Sequence, residues 1–217
     1  MKFTAAFISD LTEKLQLPLP GRPAQYRMAH MGRTDPAPMS NDPRKACVMI
    51  LLYPDENSIT KLVLIQRVRH QKDRHSGQIG LPGGGLEPTD KSLQAGALRE
   101  LEEEVGVAAS SVTLLGALSD LYISVSNFLV YPFVGYVNSR PDFVAQPSEV
   151  QAILEAPLQL FIDKDLRKTK QLRLPNGMVL EKVPYFEVEG HTVWGATAMI
   201  LNEFSEIITE QVLSGND

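Results

Sequence analysis

Residues 99–106 read RELEEEVG, four glutamates in eight positions, closed by a glycine. Like charges three and four residues apart repel along a helix, so the run weakens its own helix unless positive charge lies against it. Either a solvated helix face or a divalent-cation site accounts for such a run. At about 100° per residue, Glu100, Glu103 and Glu104 fall within an arc of about 100°, whereas Glu102 points elsewhere. Leu98, Leu101 and Val105 occupy the adjacent arc, with Ala97 between the two, a stripe suited to face a sheet. Three carboxylates converging beside a buried edge are costly unless a cation compensates them. Hard oxygen ligands of this kind favour Mg2+ or Mn2+.

Upstream lies LPGGGLEPTDKSLQAGAL, a glycine-rich turn leading directly into the acidic helix. Gly83, Gly84 and Gly85 leave backbone amides and carbonyls open to close approach by a phosphate or a metal. Thr89 or Asp90 suits the N-cap, and Gly106 suits the left-handed position that ends the helix. Glycine turn and acidic helix together point to a metal-dependent site acting on phosphates.

The elements that must position this site are legible in outline. An amphipathic helix carries Phe3, Phe7, Ile8, Leu11 and Leu15, and a proline-studded stretch up to about residue 42 follows as an extended arm lying on the domain. The core opens with two β-type runs, ACVMILLY (46–53) and KLVLIQRV (61–68), then a basic loop, RHQKDRHSGQ (69–78). After the acidic helix, strands are expected at 112–118 and 127–137. SEVQAILEAPLQLF (148–161) has helical character broken by Pro157, and Asn176-Gly177 signals a hairpin. VPYFEV and HTVW read as strands, and a last helix begins at Gly195. Trp194 is expected in the core, and His30 and His191 at the surface. Strands interleaved with helices argue a mixed α/β sandwich.

Composition sets bounds. The chain of 217 residues is 43% hydrophobic and 22% charged, enough for a substantial core. A formal charge of -5 offers no footprint for nucleic acid. The single cysteine, Cys47, lies in an apolar run and reads as a core residue. The N-terminus lacks a secretory signal and no segment is long enough to span a membrane, so a cytoplasmic protein is expected. A homodimer is one candidate assembly.

At RELEEEVG and its upstream turn the sequence resembles the Nudix hydrolases. Their signature is Gly, five residues, Glu, seven residues, then Arg-Glu-aliphatic-any-Glu-Glu-any-Gly-aliphatic. Gly85, Arg99, Glu100, Leu101, Glu103, Glu104, Gly106 and Val107 all fall in place. One position departs: the first Glu is Lys91, with Asp90 just before it and Glu87 nearby. The resemblance implies an α/β/α sandwich with a mixed β-sheet over 43–217, residues 1–42 being an arm packed on it. It also implies hydrolysis of a diphosphate linking a nucleoside to another group. Glu100 and Glu104 are then metal ligands, Glu103 a ligand or the general base, and Arg99 an orienter of the glutamates through charged hydrogen bonds. Glu149, in PSEV, is a second candidate for base or extra ligand, or simply a charge at a helix start.

A second stretch, HSGQIGLPGG (75–84), resembles the coenzyme A pyrophosphatase branch, with Leu81 where that branch has Phe. LVLIQRVR resembles the same branch through Arg67, and Lys72 and Arg74 flank Asp73, where a further Arg is expected. The implied substrate is a small nucleotide of the coenzyme A type, contacted by Arg67, Lys72, Arg74 and the three glycines. An ADP-ribose or nucleotide-sugar pyrophosphatase, and a non-catalytic nucleotide-binding regulator, are the competing readings.

Overall fold

The computed structural model describes residues 1–33, 39–69, 76–174 and 177–209. In chain order the elements are α1 (Ala5–Lys14), α2 (Gly21–Tyr26), β1 (Arg44–Pro54), β2 (Thr60–Arg67), β3 (Ile79–Gly80), β4 (Gly83–Gly85) and α3 (Leu93–Val105). There follow β5 (Thr113–Ala117), β6 (Leu121–Ile123), β7 (Phe128–Tyr136), β8 (Val150–Pro157) and α4 (Gln159–Ile162). The chain continues through β9 (Lys168–Arg173), β10 (Val179–Val188), β11 (His191–Trp194) and α5 (Gly195–Thr209).

β1 is the spine. It is paired in parallel with β7 along one edge, and antiparallel with β2 and β4 along the other. Both of its faces are covered, which is why its sequence is an unbroken apolar run instead of an alternating one. Cys47, Met49, Leu51 and Tyr53 face one core with Ala97, Leu101 and Val105 of α3. Ala46, Ile50 and Leu52 face the other with Leu11 of α1, the capping Leu15 just after it, and Ile200, Leu201 and Phe204 of α5. The result is helix, mixed sheet, helix: the expected α/β/α layering. A separate three-stranded antiparallel sheet runs β11-β10-β9.

Three local features of the fold depart from the sequence expectation. The stretch expected as helix before Pro157 is strand β8, paired antiparallel with β2 from Lys61↔Pro157 to Arg67↔Val150. Ala, Gln, Leu and Glu favour a helix locally, but the open edge of buried β2 needs hydrogen-bond partners, and tertiary demand outweighs propensity. The N-cap of α3 is Ser92, whose Oγ accepts from the Ala95 N–H at 3.1 Å, and neither Thr89 nor Asp90 takes that place. The arm is not extended throughout, because Gly21–Tyr26 is helical. Of the hairpin signal, Asn176 lies outside the described residues. The flanking strands do pair antiparallel, and the Leu174 N–H donates to the Met178 carbonyl at 2.8 Å.

α2 is fastened to α5 by buried polar groups. Asn202 Nδ2 donates to the Ala24 carbonyl at 2.7 Å, and Gln25 Nε2 to Glu203 Oε2 at 2.8 Å. The backbone N–H groups of Gly21 and Ser119 share Glu203 Oε1 at 3.1 and 3.3 Å. Glu203 is wholly buried, so these donors replace the water it lost. No helix among the described residues is long and apolar enough to cross a membrane.

Candidate metal centre

α3 is aimed by its two ends. Ser92 caps the start, and Gly106, at φ 74°, ends the helix in the left-handed conformation. The chain then returns across this end: Val144 N–H donates to the Val105 carbonyl and Gln146 N–H to the Glu104 carbonyl, each at 3.0 Å. Those two bonds satisfy carbonyls that a helix end leaves orphaned. They also bring the loop carrying Glu149 alongside the acidic face, where the Glu149 carbonyl accepts from Val68 N–H at 2.8 Å.

Glu100, Glu104 and Glu149 present carboxylate oxygens that all lie within 4.8 Å of one another. Glu104 is 1% exposed. Its Oε2 accepts from the Gly83 N–H at 2.7 Å, while Oε1 is buried without a hydrogen-bond partner. Burial pushes its pKa up to about 8, against the pull of the Gly83 bond, and Glu100 adds to the rise. Glu100 is also raised by burial, opposed by Arg99. Glu149 is exposed, so the cluster has a buried floor and an open mouth.

The glycine turn forms the wall. Gly83, at φ 153°, lies so close to β1 that a Cβ there would sit 2.3 Å from the Cys47 carbonyl oxygen. A Cβ on Gly84 would come within 2.7 Å of all three carboxyl atoms of Glu100, filling the space in front of that group. A buried orphan lone pair, converging carboxylates and side-chain-free backbone fit a hard divalent cation. Glu100, Glu104 and Glu149 are the residues able to hold it.

Glu103 falls outside that cluster: its side chain is 56% exposed and Oε2 accepts from Arg99 Nη1 at 2.8 Å. Glu103 lies on the solvent side of the helix face it shares with Glu100 and Glu104. Arg99 donates besides to Glu100, Asp90 and the Gly85 carbonyl. Its pKa is raised, first by the Asp90 hydrogen bond. Arg67 Nη1 stands 4.0 Å from Glu104 Oε1. Lys72 and Arg74 lie outside the described residues. Trp194 and His191 are half-buried. Asp90 is the residue that the signature spacing missed, because the pattern places an acid at 91; its one visible sign was an acid directly before a mismatched lysine.

A site of converging carboxylates on a helix that follows a glycine turn, set on a mixed sheet between helices, defines a class of metal-dependent enzymes acting on phosphates. Residues 43–174 match the NUDIX domain model, and the chain belongs to the Nudix hydrolase family. It is 31% identical over 208 residues to an uncharacterized Nudix hydrolase NudL from Yersinia pestis, covering 95% of this chain and 97% of that protein. It is 30% identical over 186 residues to Nudix hydrolase 15, mitochondrial, of Arabidopsis thaliana, covering 81% of this chain and 64% of the plant protein. Among solved structures, a MutT/nudix family protein from Enterococcus faecalis gives a TM-score of 0.49 at 17% identity, covering 92% of this chain and 72% of that one. The family hydrolyses diphosphate linkages in nucleoside diphosphate derivatives and generally uses divalent cations.

Proposed function

We propose that this protein hydrolyses the diphosphate of coenzyme A or its thioesters, giving 3′,5′-ADP and (acyl-)4′-phosphopantetheine. The observation that carries the reading is HSGQIGLPGG, whose last two residues, Gly83 and Gly84, face Glu104 and Glu100. Gln78 in that segment is anchored to the end of β2: its carbonyl accepts from the Arg67 N–H at 3.0 Å.

Glu100 and Glu104 would hold the cation. A bound Mg2+ or Mn2+ would supply neutralisation of diphosphate charge and a lowered pKa for the attacking water. Glu149, open to solvent and adjacent to both, accepts the proton from that water. Glu103 is committed to Arg99 and keeps the guanidinium in place. The cationic residues Arg67, Lys72 and Arg74 supply, on this reading, the charge for the 3′-phosphate that distinguishes coenzyme A from dephospho-coenzyme A and ADP-ribose.

The test is a substrate panel with Mg2+ or Mn2+. Each charged hydrogen bond to the 3′-phosphate should contribute roughly 1.5–3 kcal/mol, so coenzyme A should exceed dephospho-coenzyme A in kcat/KM by about tenfold or more. Arg74→Ala or Lys72→Ala should shrink that preference and spare dephospho-coenzyme A turnover. An enzyme that cleaves ADP-ribose best and ignores the 3′-phosphate defeats the coenzyme A reading.

A further inference from the structure

Lys91, where the family signature has its first glutamate, is exposed, but its neighbour Asp90 is packed against Arg99, its side chain 4% exposed. Asp90 Oδ1 accepts from Arg99 Nε at 3.0 Å, and Oδ2 accepts from Arg99 Nη2 at 3.1 Å. The backbone N–H of Glu87 donates to the same Oδ2 at 2.8 Å, which locks the carboxylate from behind. This is the two-pronged pairing for which a guanidinium is shaped.

The pairing decides what Arg99 has left to give. Nε and Nη2 are taken by Asp90, and Nη2 also reaches the Gly85 carbonyl at 3.2 Å. Only Nη1 remains, and it is divided between Glu100 Oε1 at 3.0 Å and Glu103 Oε2 at 2.8 Å. A guanidinium held this way touches one oxygen of Glu100 and cannot close over both. Released from Asp90, it would be free to pair with both oxygens of Glu100 and cancel the charge that a cation needs.

We propose that Asp90 is a positioning residue of the metal centre. It fixes the Arg99 guanidinium, and through it the Glu100 carboxylate, from one position before the acidic position of the signature. The inference rests on Glu100 and Glu104 being the cation ligands, and it is independent of which nucleotide is cleaved. A merely structural Asp90 would tie the 86–92 turn to α3 and would affect stability alone.

The experiment is Mn2+ binding to metal-stripped protein, read by the paramagnetic resonance signal of free Mn2+ well below the melting temperature. The variants are Asp90→Asn, Asp90→Ala, Arg99→Ala and the Asp90→Ala/Arg99→Ala double variant; Asp90→Asn keeps the volume should the alanine fold poorly. Loss of the Asp90 carboxylate should weaken Mn2+ binding by about tenfold or more, the usual scale for a group that orients a ligand. The double variant should bind as Arg99→Ala does, because Asp90 acts only through Arg99. Binding by both Asp90 variants within about threefold of wild type, or effects that multiply in the double variant, overturns the proposal. A wild-type protein that takes up no Mn2+ overturns the ligand reading as well, so the two failures are distinct.

Discussion

Glu104→Gln separates stability from activity at a single atom pair. The amide keeps an oxygen to accept from Gly83 N–H, and its nitrogen takes the place of the buried oxygen that has no hydrogen-bond partner. In the metal-free protein the Glu104 carboxyl is raised from 4.5 to about 8. Between those values the folded protein binds a proton that the unfolded chain releases. The group's contribution is therefore full below about pH 4.5 and is lost as the pH rises toward 8. At pH 7 the loss is at most about 3–4 kcal/mol, from about 1.36 kcal/mol per unit over the 2.5 units above 4.5. Glutamine does not titrate, so in EDTA the variant should gain on wild type as pH rises from 5 to 8. Urea unfolding at both pH values measures the gap, and ionisable groups not coupled to Glu104 cancel between the two proteins. In saturating Mg2+ the variant should lose at least about a hundredfold in rate, near 3 kcal/mol of barrier. A stability gap that does not change with pH refutes the burial argument, and near-normal turnover refutes Glu104 as a ligand.

Three more outcomes follow from the same geometry. Lys91→Glu, which restores the usual signature, should change the rate by less than about tenfold, under about 1.4 kcal/mol, because Asp90 already occupies the guanidinium; a larger gain would mean the natural protein is impaired. Gly84→Ala places a Cβ 2.5 Å from Glu100 Oε1, so the carboxylate must move and Mn2+ affinity should fall by about tenfold or more, read by titration. Gln25→Leu removes a side-chain donor from buried Glu203 and should cost about 2–4 kcal/mol in urea unfolding; a cost below about 1 kcal/mol would show that α2 is not coupled to α5 through this pair.

What the sequence determined by itself is short-range. The apolar stripe of α3, its stop at Gly106 and the buried runs of β1 and β2 depend on periodicity and backbone preference within a few residues, and these survive in any context. The placement of Glu100 and Glu104 on one helix face followed from the same arithmetic. Other features were settled only when distant chain segments met. β8 is a strand because β2 has an edge to fill, not because Val150–Pro157 prefers one. Glu149 reaches the cluster because residues 144–146 dock on the last carbonyls of α3, a contact with no local signal. Glu103 and Glu104 are adjacent and identical in type, yet one is held at the surface by Arg99 while the other lies beneath the glycine turn. Asp90, not position 91, meets Arg99 because the turn before α3 presents its carboxylate to the guanidinium. Identity and spacing fix which side chains a helix offers to its neighbours. Burial, which sets both charge state and partner, belongs to the packed tertiary structure.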